Sequence, residues 1–507
     1  MFDSLGQFIS AIGNFVTLTA LFHICWSTLL GIVIGSLPGL TATMGVALMT
    51  TLTYKLSPDL AVLILICMYV GAIYGGSRSA ILLNIPGTPA NAATTLDGNP
   101  LARQGLAGKA MGIATSGSVL GSIIGMIFLA TIAPSLADWA LKFQSYEFFW
   151  LAIFGIVVSG HLTALDDPIK GWIAGFLGLM VAMVGQEGIH AYERFTYGST
   201  ALLGGFALIP AMVGAFGFAE VLTVMRNPVA ELVTKTNDSV VPKLGEVFRY
   251  WKTIIRSGII GTGVGIIPGV GEDIGAWVSY AAARRKSKER EKFGKGSIEG
   301  LMAAECGNNA AIPGALIPVL TLAIPGSAPA AVLLAAMLIH GIRPGPLIMI
   351  ESPDFVYQVV AMVLFASLAI LVFGLSLTKV LLKVLTVPRE RLMPIVFVLC
   401  AIGSYAITNR TFDIWVMMGF GVIGFILREM KYPMAPLVLG IILGDIVDKS
   451  LRRGLVLTDG DFMPFLTRPI CILLWAITIS SILMSIPAFR KMVGRVVAKV
   501  RPGRGEA

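Results

Sequence analysis

The chain has 507 residues, 56% of them hydrophobic and only 13% charged, with a formal net charge of +9. A soluble globular protein carries about 25% charged residues, so the composition excludes a soluble domain and reads as an all-α polytopic membrane protein. The basic excess gathers in loops and at the C-terminus, as the positive-inside rule expects, so it does not point to nucleic acid.

A spanning helix needs about 20 apolar residues, and residues 15–37 supply the first. Asp3 with no basic residue ahead of that run makes a poor signal peptide, so the first helix is expected to stay in the mature protein. A Pro38-Gly39 break and a shorter apolar piece to Thr53 follow. From Leu60 to Leu96 the single charge is Arg78; that run is long enough for one span plus a broken helix around Pro86-Gly87 and Pro89. Asp97-Gly98-Asn99-Pro100 reads as a turn. Residues 110–137 are uncharged, and Ser116, Gly117, Gly121 and Gly125 at helical spacing predict close helix packing. Spans are expected over 148–165, 171–186 and 196–219, with a loop at Asp166-Asp167-Pro168.

The stretch 226–256 is polar and mixed in charge. It divides the chain into a first membrane half, 1–225, and a second, 257–450, with a C-terminal helix and basic tail over 451–507 (Arg490, Lys491, Arg495, Lys499, Arg501, Arg504). The second half opens on a short helix to Ala283, closed by Arg284-Arg285-Lys286, with Lys288, Arg290, Lys292 and Lys295 behind it; this cluster is expected to be cytoplasmic. The equivalent loop of the first half has Lys55 alone, an asymmetry that points to an inverted repeat. Pro313, Pro318, Pro325 and Pro329 predict a heavily broken stretch over 306–342. Later spans are expected near 355–378, 392–409, 412–427, 433–447 and 465–488, which brings the total to about 11–12 crossings or part-crossings. The five cysteines are scattered in apolar sequence and read as packing residues.

The motif that organises the chain occurs twice. Gly31-Ile-Val-Ile-Gly35-Ser-Leu-Pro38-Gly39-Leu-Thr41 is repeated in frame by Gly261-Thr-Gly263-Val-Gly265-Ile-Ile-Pro268-Gly269-Val-Gly271. A second pair follows: Leu83-Asn84-Ile85-Pro86-Gly87-Thr88 and Leu322-Ala323-Ile324-Pro325-Gly326-Ser327. A lone Pro-Gly is a plain kink, but breaks paired between two halves are a pointer to a transporter binding site. Unwinding frees backbone groups, and the N-terminus of a half-helix favours an anion; Thr41, Thr88 and Ser327 sit where a hydroxyl would cap a half-helix or touch a ligand. Glu305, Asn308 and Asn309 stand at the mouth of the next apolar run. The amides suit a ligand carboxylate or a small cation, while Glu305 reads equally as part of a helix start. Asn84 takes a comparable place in the first half. Arg78 would suit an anionic substrate, or would snorkel to an interface. Glu272 and Asp273 read first as acidic residues at a helix start, with cation binding as the alternative.

The set Gly35-x-x-Pro38-Gly39, Tyr74-Gly75-Gly76-Ser77 through Ile85-Pro86-Gly87, and Leu96-Asp97-Gly98-Asn99-Pro100 to Gly105 resembles the large membrane subunit of the tripartite tricarboxylate transporter family. So do Gly265-x-x-Pro268-Gly269-x-Gly271, Phe293-Gly294-Lys295-Gly296 with Glu305-x-x-Asn308-Asn309, Leu322-x-Ile324-Pro325-Gly326-Ser327 and Pro344-Gly345-Pro346. Thr41 departs from a common glycine, and Ala328-Pro329 from smaller or polar residues. The resemblance implies a multi-pass protein of the bacterial inner membrane that works with a small membrane subunit of about four helices. It also implies a periplasmic solute-binding protein that delivers a tricarboxylate or other carboxylate, with uptake driven by an ion gradient, usually sodium, with protons the alternative, and no organic cofactor. Rival readings are a channel or stand-alone carrier for organic anions, and an intramembrane enzyme, for which HExxH, GxSG and paired-aspartate motifs are missing.

Overall fold

The computed structural model describes residues 2–164, 167–226, 238–378, 380, 389–485 and 489. Asp166, residues 227–237 of the expected connector, and the basic positions from Arg490 onward lie outside them. Among the described residues, seven helical stretches are long and apolar enough to cross a membrane and four shorter helices are apolar. One two-residue antiparallel pair, Gly185–Gln186 with Glu193–Arg194, is the strand content there. The helices gather into two units, Met1–Lys142 with Phe206–Met430, and Phe143–Gly205 with Lys431–Ala507.

The first unit carries the repeat. Helix α1 (Phe2–Phe15) precedes α2 (Leu18–Ser36), which ends where Leu37 turns extended ahead of Pro38. A residue before proline disfavours helical backbone, and Ile267 ahead of Pro268 ends α10 (Trp251–Ile266) the same way. After the break, α3 (Ala42–Thr53) and α4 (Pro58–Leu83) follow in the first half, and α11 (Gly271–Lys286) and α12 (Ile298–Leu322) in the second. Both α4 and α12 end on a left-handed residue, Asn84 (φ 58°) and Ala323 (φ 55°), ahead of Ile-Pro-Gly. Each half then re-enters a shorter helix, α5 (Ala92–Leu101) or α13 (Ala328–Ile339). Between these lie α6 (Ala107–Ala140) and the stretch α9 (Leu208–Arg226); α14 (Pro353–Ser376), α15 (Arg389–Thr408) and α16 (Phe412–Glu429) complete the unit.

Glycines set the two copies in step. A Cβ on Gly31 would lie 2.5 Å from the carbonyl oxygen of Met68, and one on Gly35 1.9 Å from that of Ala72. The matching atoms on Gly261 and Gly265 would lie 2.1 Å from Gly307 O and 2.4 Å from Ala311 O. Thus α2 runs parallel to and in backbone contact with α4, and α10 does the same with α12. The copies are inverted. Gly98 brings Leu301, at the start of α12, against Ile81 near the end of α4, while Ser327, past the end of α12, bonds Tyr69 earlier in α4. The two long helices therefore run in opposite directions, as the loop charges suggested.

Helix α6 lies parallel to α12, with Gly117, Gly121 and Gly125 meeting Glu305, Cys306 and Ala310 in order, as the glycine spacing predicted. Three expectations change. Asp97–Pro100 is helical, because Asp97 Oδ1 accepts from the backbone N–H groups of Gly294, Gly296 and Ser297 and Asn99 Nδ2 donates to Ile81 O. The real break there is at Gly105, with φ 82°. Pro313 and Pro318 do not interrupt α12; the Pro313 ring occupies the space left by Gly125, where a Cβ would come within 2.4 Å. The span expected over 196–219 starts at Leu208, since left-handed backbone at Tyr197, Gly198 and Gly205 keeps the preceding segment irregular.

In the second unit, α7 (Ser145–Thr163), α8 (Pro168–Ala182), α17 (Met434–Leu457) and α18 (Pro469–Ser485) pack together. Gly178 meets Leu437 O and Gly440 meets Gly175 O across α8 and α17. Arg194 donates to both carboxylate oxygens of Asp448, at 2.9 and 3.0 Å.

Gly35→Ala forces a methyl into the Ala72 carbonyl and is expected to destabilise by about 1–3 kcal/mol, read as a fall in melting temperature in detergent. Gly263→Ala, with nothing within 4 Å, is expected to be neutral or stabilising by up to about 1 kcal/mol.

Candidate functional site

Within each half the two breaks touch. Gly87 N–H donates to Gly76 O (3.3 Å), and a Cβ on Gly87 would lie 1.9 Å from Gly35 O. In the second half Gly269 N–H donates to Pro325 O (3.2 Å), and a Cβ on Gly326 would lie 2.3 Å from Gly265 O. Gly39 and Gly269 hold the left-handed backbone (φ 93° and 74°) that the paired Pro-Gly turns require. Gly271 (φ 56°) takes the place of Thr41 and lies against Ser327.

The halves then cross. Tyr69 OH donates to Glu272 Oε1 at 2.6 Å and lies 2.7 Å from Ser327 Oγ. Asn308 Nδ2 donates to Ala90 O, between the Pro86-Gly87 break and α5, at 3.3 Å. Tyr69 precedes Gly75 by the same step that Asn308 precedes Gly314, and those two glycines meet Ile32 O and Thr262 O equivalently. Each long helix therefore sends one polar side chain to the break of the other half. The polar cluster continues through Asn309 Nδ2, which donates to Asn308 Oδ1 (2.6 Å) and Glu305 O (3.2 Å). Glu305 accepts from Thr94 Oγ1 (2.5 Å) and Ser118 Oγ (2.9 Å). Tyr69, Glu272, Glu305, Asn308 and Asn309 are all buried. Buried polar atoms are nearly always paired, yet Glu272 Oε2 and Asn309 Oδ1 have no hydrogen-bond partner.

The hydroxyls divide. Thr41 and Ser327 cap their half-helices, accepting from Met44 N and Ala330 N at 3.3 Å, and Thr88 instead donates to Asn91 Oδ1 at 2.6 Å. Pro38, Pro268 and Pro325 are buried, and Pro86 is half-buried in its turn. Asn84 is exposed and serves as the left-handed cap of α4; its counterpart is Ala323, not the Asn308–Asn309 pair. Asparagine tolerates that backbone better than most residues. Glu272 and Asp273 stand in the first turn of α11, as expected of acidic residues at a helix start, and the Glu272 carboxylate also accepts from Tyr69 of the other half. Glu305 lies well inside α12 and is not an N-cap; Ser297 caps that helix.

Arg78 does not snorkel. It is 1% exposed, stacks over the Tyr74 ring, and donates through Nη2 to Thr115 Oγ1 and Gly374 O, each at 3.2 Å. It sits among α4, α6 and α14 with Nε and Nη1 unpartnered, and Thr115 and Ser118 place it one turn of α6 from the Glu305 contact. Tyr69, Thr94 and Ser118 escaped the sequence reading. Aligning the halves on Gly75 and Gly314 would have paired Tyr69 with Asn308. Thr94 and Ser118 carry no local signal. No group of three or more His, Cys, Asp or Glu comes together among the described residues.

An inverted pair of broken-helix repeats enclosing a buried polar cluster defines a membrane transporter architecture. The chain belongs to the tripartite tricarboxylate transporter TctA family, whose model matches residues 21–439. It is 34% identical over 488 residues, 95% of this chain and 97% of the relative, to an uncharacterized 52.8 kDa protein in the TAR-I ttuC' 3'region of Agrobacterium vitis. It is also 32% identical over 231 residues, 45% of this chain and 96% of the relative, to an uncharacterized protein in the TAR-II ttuC' 3'region of the same organism. The family comprises the large membrane subunit of tripartite transporters.

Tyr69→Phe leaves Glu272 Oε1 without its donor in an apolar interior, a loss of about 1–3 kcal/mol. Thermal melting of Tyr69→Phe, Ser327→Ala and the double variant is expected to show strong non-additivity; strict additivity would mean the contact carries no coupling.

Proposed function

We propose that this chain is the membrane subunit of a binding-protein-dependent secondary transporter of the bacterial inner membrane that imports a tricarboxylate or other carboxylate. A periplasmic solute-binding protein delivers the substrate, and a small membrane subunit of about four helices completes the assembly. The observation that carries this reading is the crossing at Tyr69–Ser327 and Asn308–Ala90, which joins the broken helices of opposite halves. The substrate sits there, between Thr88–Asn91 and Ala323–Ser327.

The chemistry at that place supports an anion and a cation together. The starts of α3, α5 and α13 present backbone N–H groups and the positive ends of helix dipoles, which favour a carboxylate. The Asn308 amide and Ser327 hydroxyl add donors. Glu272 Oε2 and Asn309 Oδ1 are acceptors with nothing bonded to them, and hard oxygen acceptors suit an alkali cation. Sodium is accordingly the coupling ion of this proposal. Alternating access follows if the short half-helices α5 and α13 shift against α4 and α12, because the interlocked glycine contacts of α2 with α4 and of α10 with α12 form rigid pairs.

Uptake of labelled carboxylates into proteoliposomes holding this chain and its small partner tests the reading, with and without the binding protein and an inward sodium gradient. Concentrative uptake that needs both is expected. Uptake that merely equilibrates, or that ignores the binding protein, would identify a channel or a stand-alone carrier. Asn308→Ala is expected to lower uptake at least about tenfold, the equivalent of one lost hydrogen bond to a charged group.

A further inference from the structure

Away from the breaks, a cavity of about 510 Å³ opens beside the C-terminal half of α11. Its lining combines Leu96 of α5, Trp277 and Tyr280 of α11, and three arginines, Arg284, Arg285 and Arg290. Three guanidinium groups around one cavity repel each other unless an anion joins them. Among the described residues no ion pair engages any of the three. Arg290 instead donates to the backbone carbonyl of Arg285. Glu291, next to Arg290 in sequence, makes no ion pair with the three arginines among the described residues, and two other carboxylates close by are engaged elsewhere. Glu289 pairs with Lys292 and Arg249 at 3.1 and 3.3 Å, and Asp97 Oδ1 holds the Gly294–Ser297 backbone. Positive charge at the end of α11 also complements the helix dipole, but that effect needs neither a cavity nor an aromatic wall.

The other wall fixes the kind of anion. Leu96, Trp277 and Tyr280 give it an apolar and aromatic face, and Trp277 and Val278 are 42% and 40% exposed on the outer surface of α11. Tryptophan and tyrosine mark the level where the bilayer meets water, and basic pockets on the cytoplasmic side take anionic lipid headgroups. A small soluble anion would use the arginines and leave the aromatic wall empty. We infer that this cavity is a binding site for an anionic phospholipid. Its phosphate is held by Arg284, Arg285 and Arg290 in charge-assisted hydrogen bonds, and its glycerol and upper acyl carbons lie on Trp277 and Leu96.

The site bears on the transport core through two contacts. Asp97 sits next to Leu96 and anchors the loop before α12, and the first turn of α11 carries Glu272, which Tyr69 holds. A lipid in the cavity would clamp the far end of the same helix.

The full chain in nanodiscs of phosphatidylcholine, with or without phosphatidylglycerol, tests the inference by native mass spectrometry and thermal melting. Wild type is expected to retain phosphatidylglycerol over phosphatidylcholine and to melt higher when it is present. Arg284→Gln combined with Arg285→Gln and Arg290→Gln is expected to lower the retained fraction at least about tenfold and to abolish the shift, with melting in phosphatidylcholine unchanged. If the triple variant does not fold, Arg285→Gln and Trp277→Ala singly should each weaken retention. Equal retention of both lipids by wild type would overturn the proposal. So would millimolar inorganic phosphate reproducing the shift and displacing the lipid, which would make this a soluble-anion site.

Discussion

The structure depends on backbone contacts between helices that glycine alone permits. In hydrocarbon no water satisfies a freed N–H or C=O, so a broken helix persists only where protein surrounds it. Here the surrounding is literal: Gly87 lies against the Gly35 carbonyl and Gly326 against the Gly265 carbonyl, at separations where a methyl group would not fit. Those contacts hold the Pro-Gly turns at the centre of the unit. They also explain why the motif spaces its glycines as it does. Gly31 and Gly35 face α4, and Gly261 and Gly265 face α12.

Built twice and inverted, this unit places two different polar residues at equivalent positions. Tyr69 and Asn308 each reach the opposite break, but Tyr69 meets a carboxylate and a hydroxyl while Asn308 meets a backbone carbonyl. The scaffold is symmetric and the chemistry is not. Glu272 Oε2 and Asn309 Oδ1 are buried acceptors without partners, while Glu305 is satisfied from α5 and α6. A site that handles an anion and a cation together needs such a division.

Much of this was legible in the sequence, for reasons of chain chemistry. The ends of α2 and α10 follow from a proline at the next residue but one, and the packing of α6 from glycines at helical spacing. The inversion could be suspected from Lys55 standing alone opposite the Arg284–Lys295 cluster. Other features depend on partners distant in sequence. Asp97–Pro100 has the composition of a turn, yet its polar side chains are drawn to Ile81 and to the Gly294–Ser297 backbone, and the helix survives. The helix runs on through Pro313, whose ring lies in the space left by Gly125. Arg78 is held inside the unit by Tyr74, Thr115 and Gly374 rather than at an interface, with its Nε and Nη1 left without a hydrogen-bond partner. Asn84, a ligand candidate by residue type, also takes the left-handed backbone that ends α4.

The central claim is that the carboxylate binds where the two halves cross. A structure of the transporter complex determined with a bound carboxylate and sodium tests it most directly. The account predicts ligand density within hydrogen-bond distance of the Asn308 amide, the Ser327 hydroxyl and the N–H groups that open α13, with the cation near Glu272 Oε2 and Asn309 Oδ1. Carboxylate density at Arg78, among α4, α6 and α14, with the crossing left intact and empty, would contradict it.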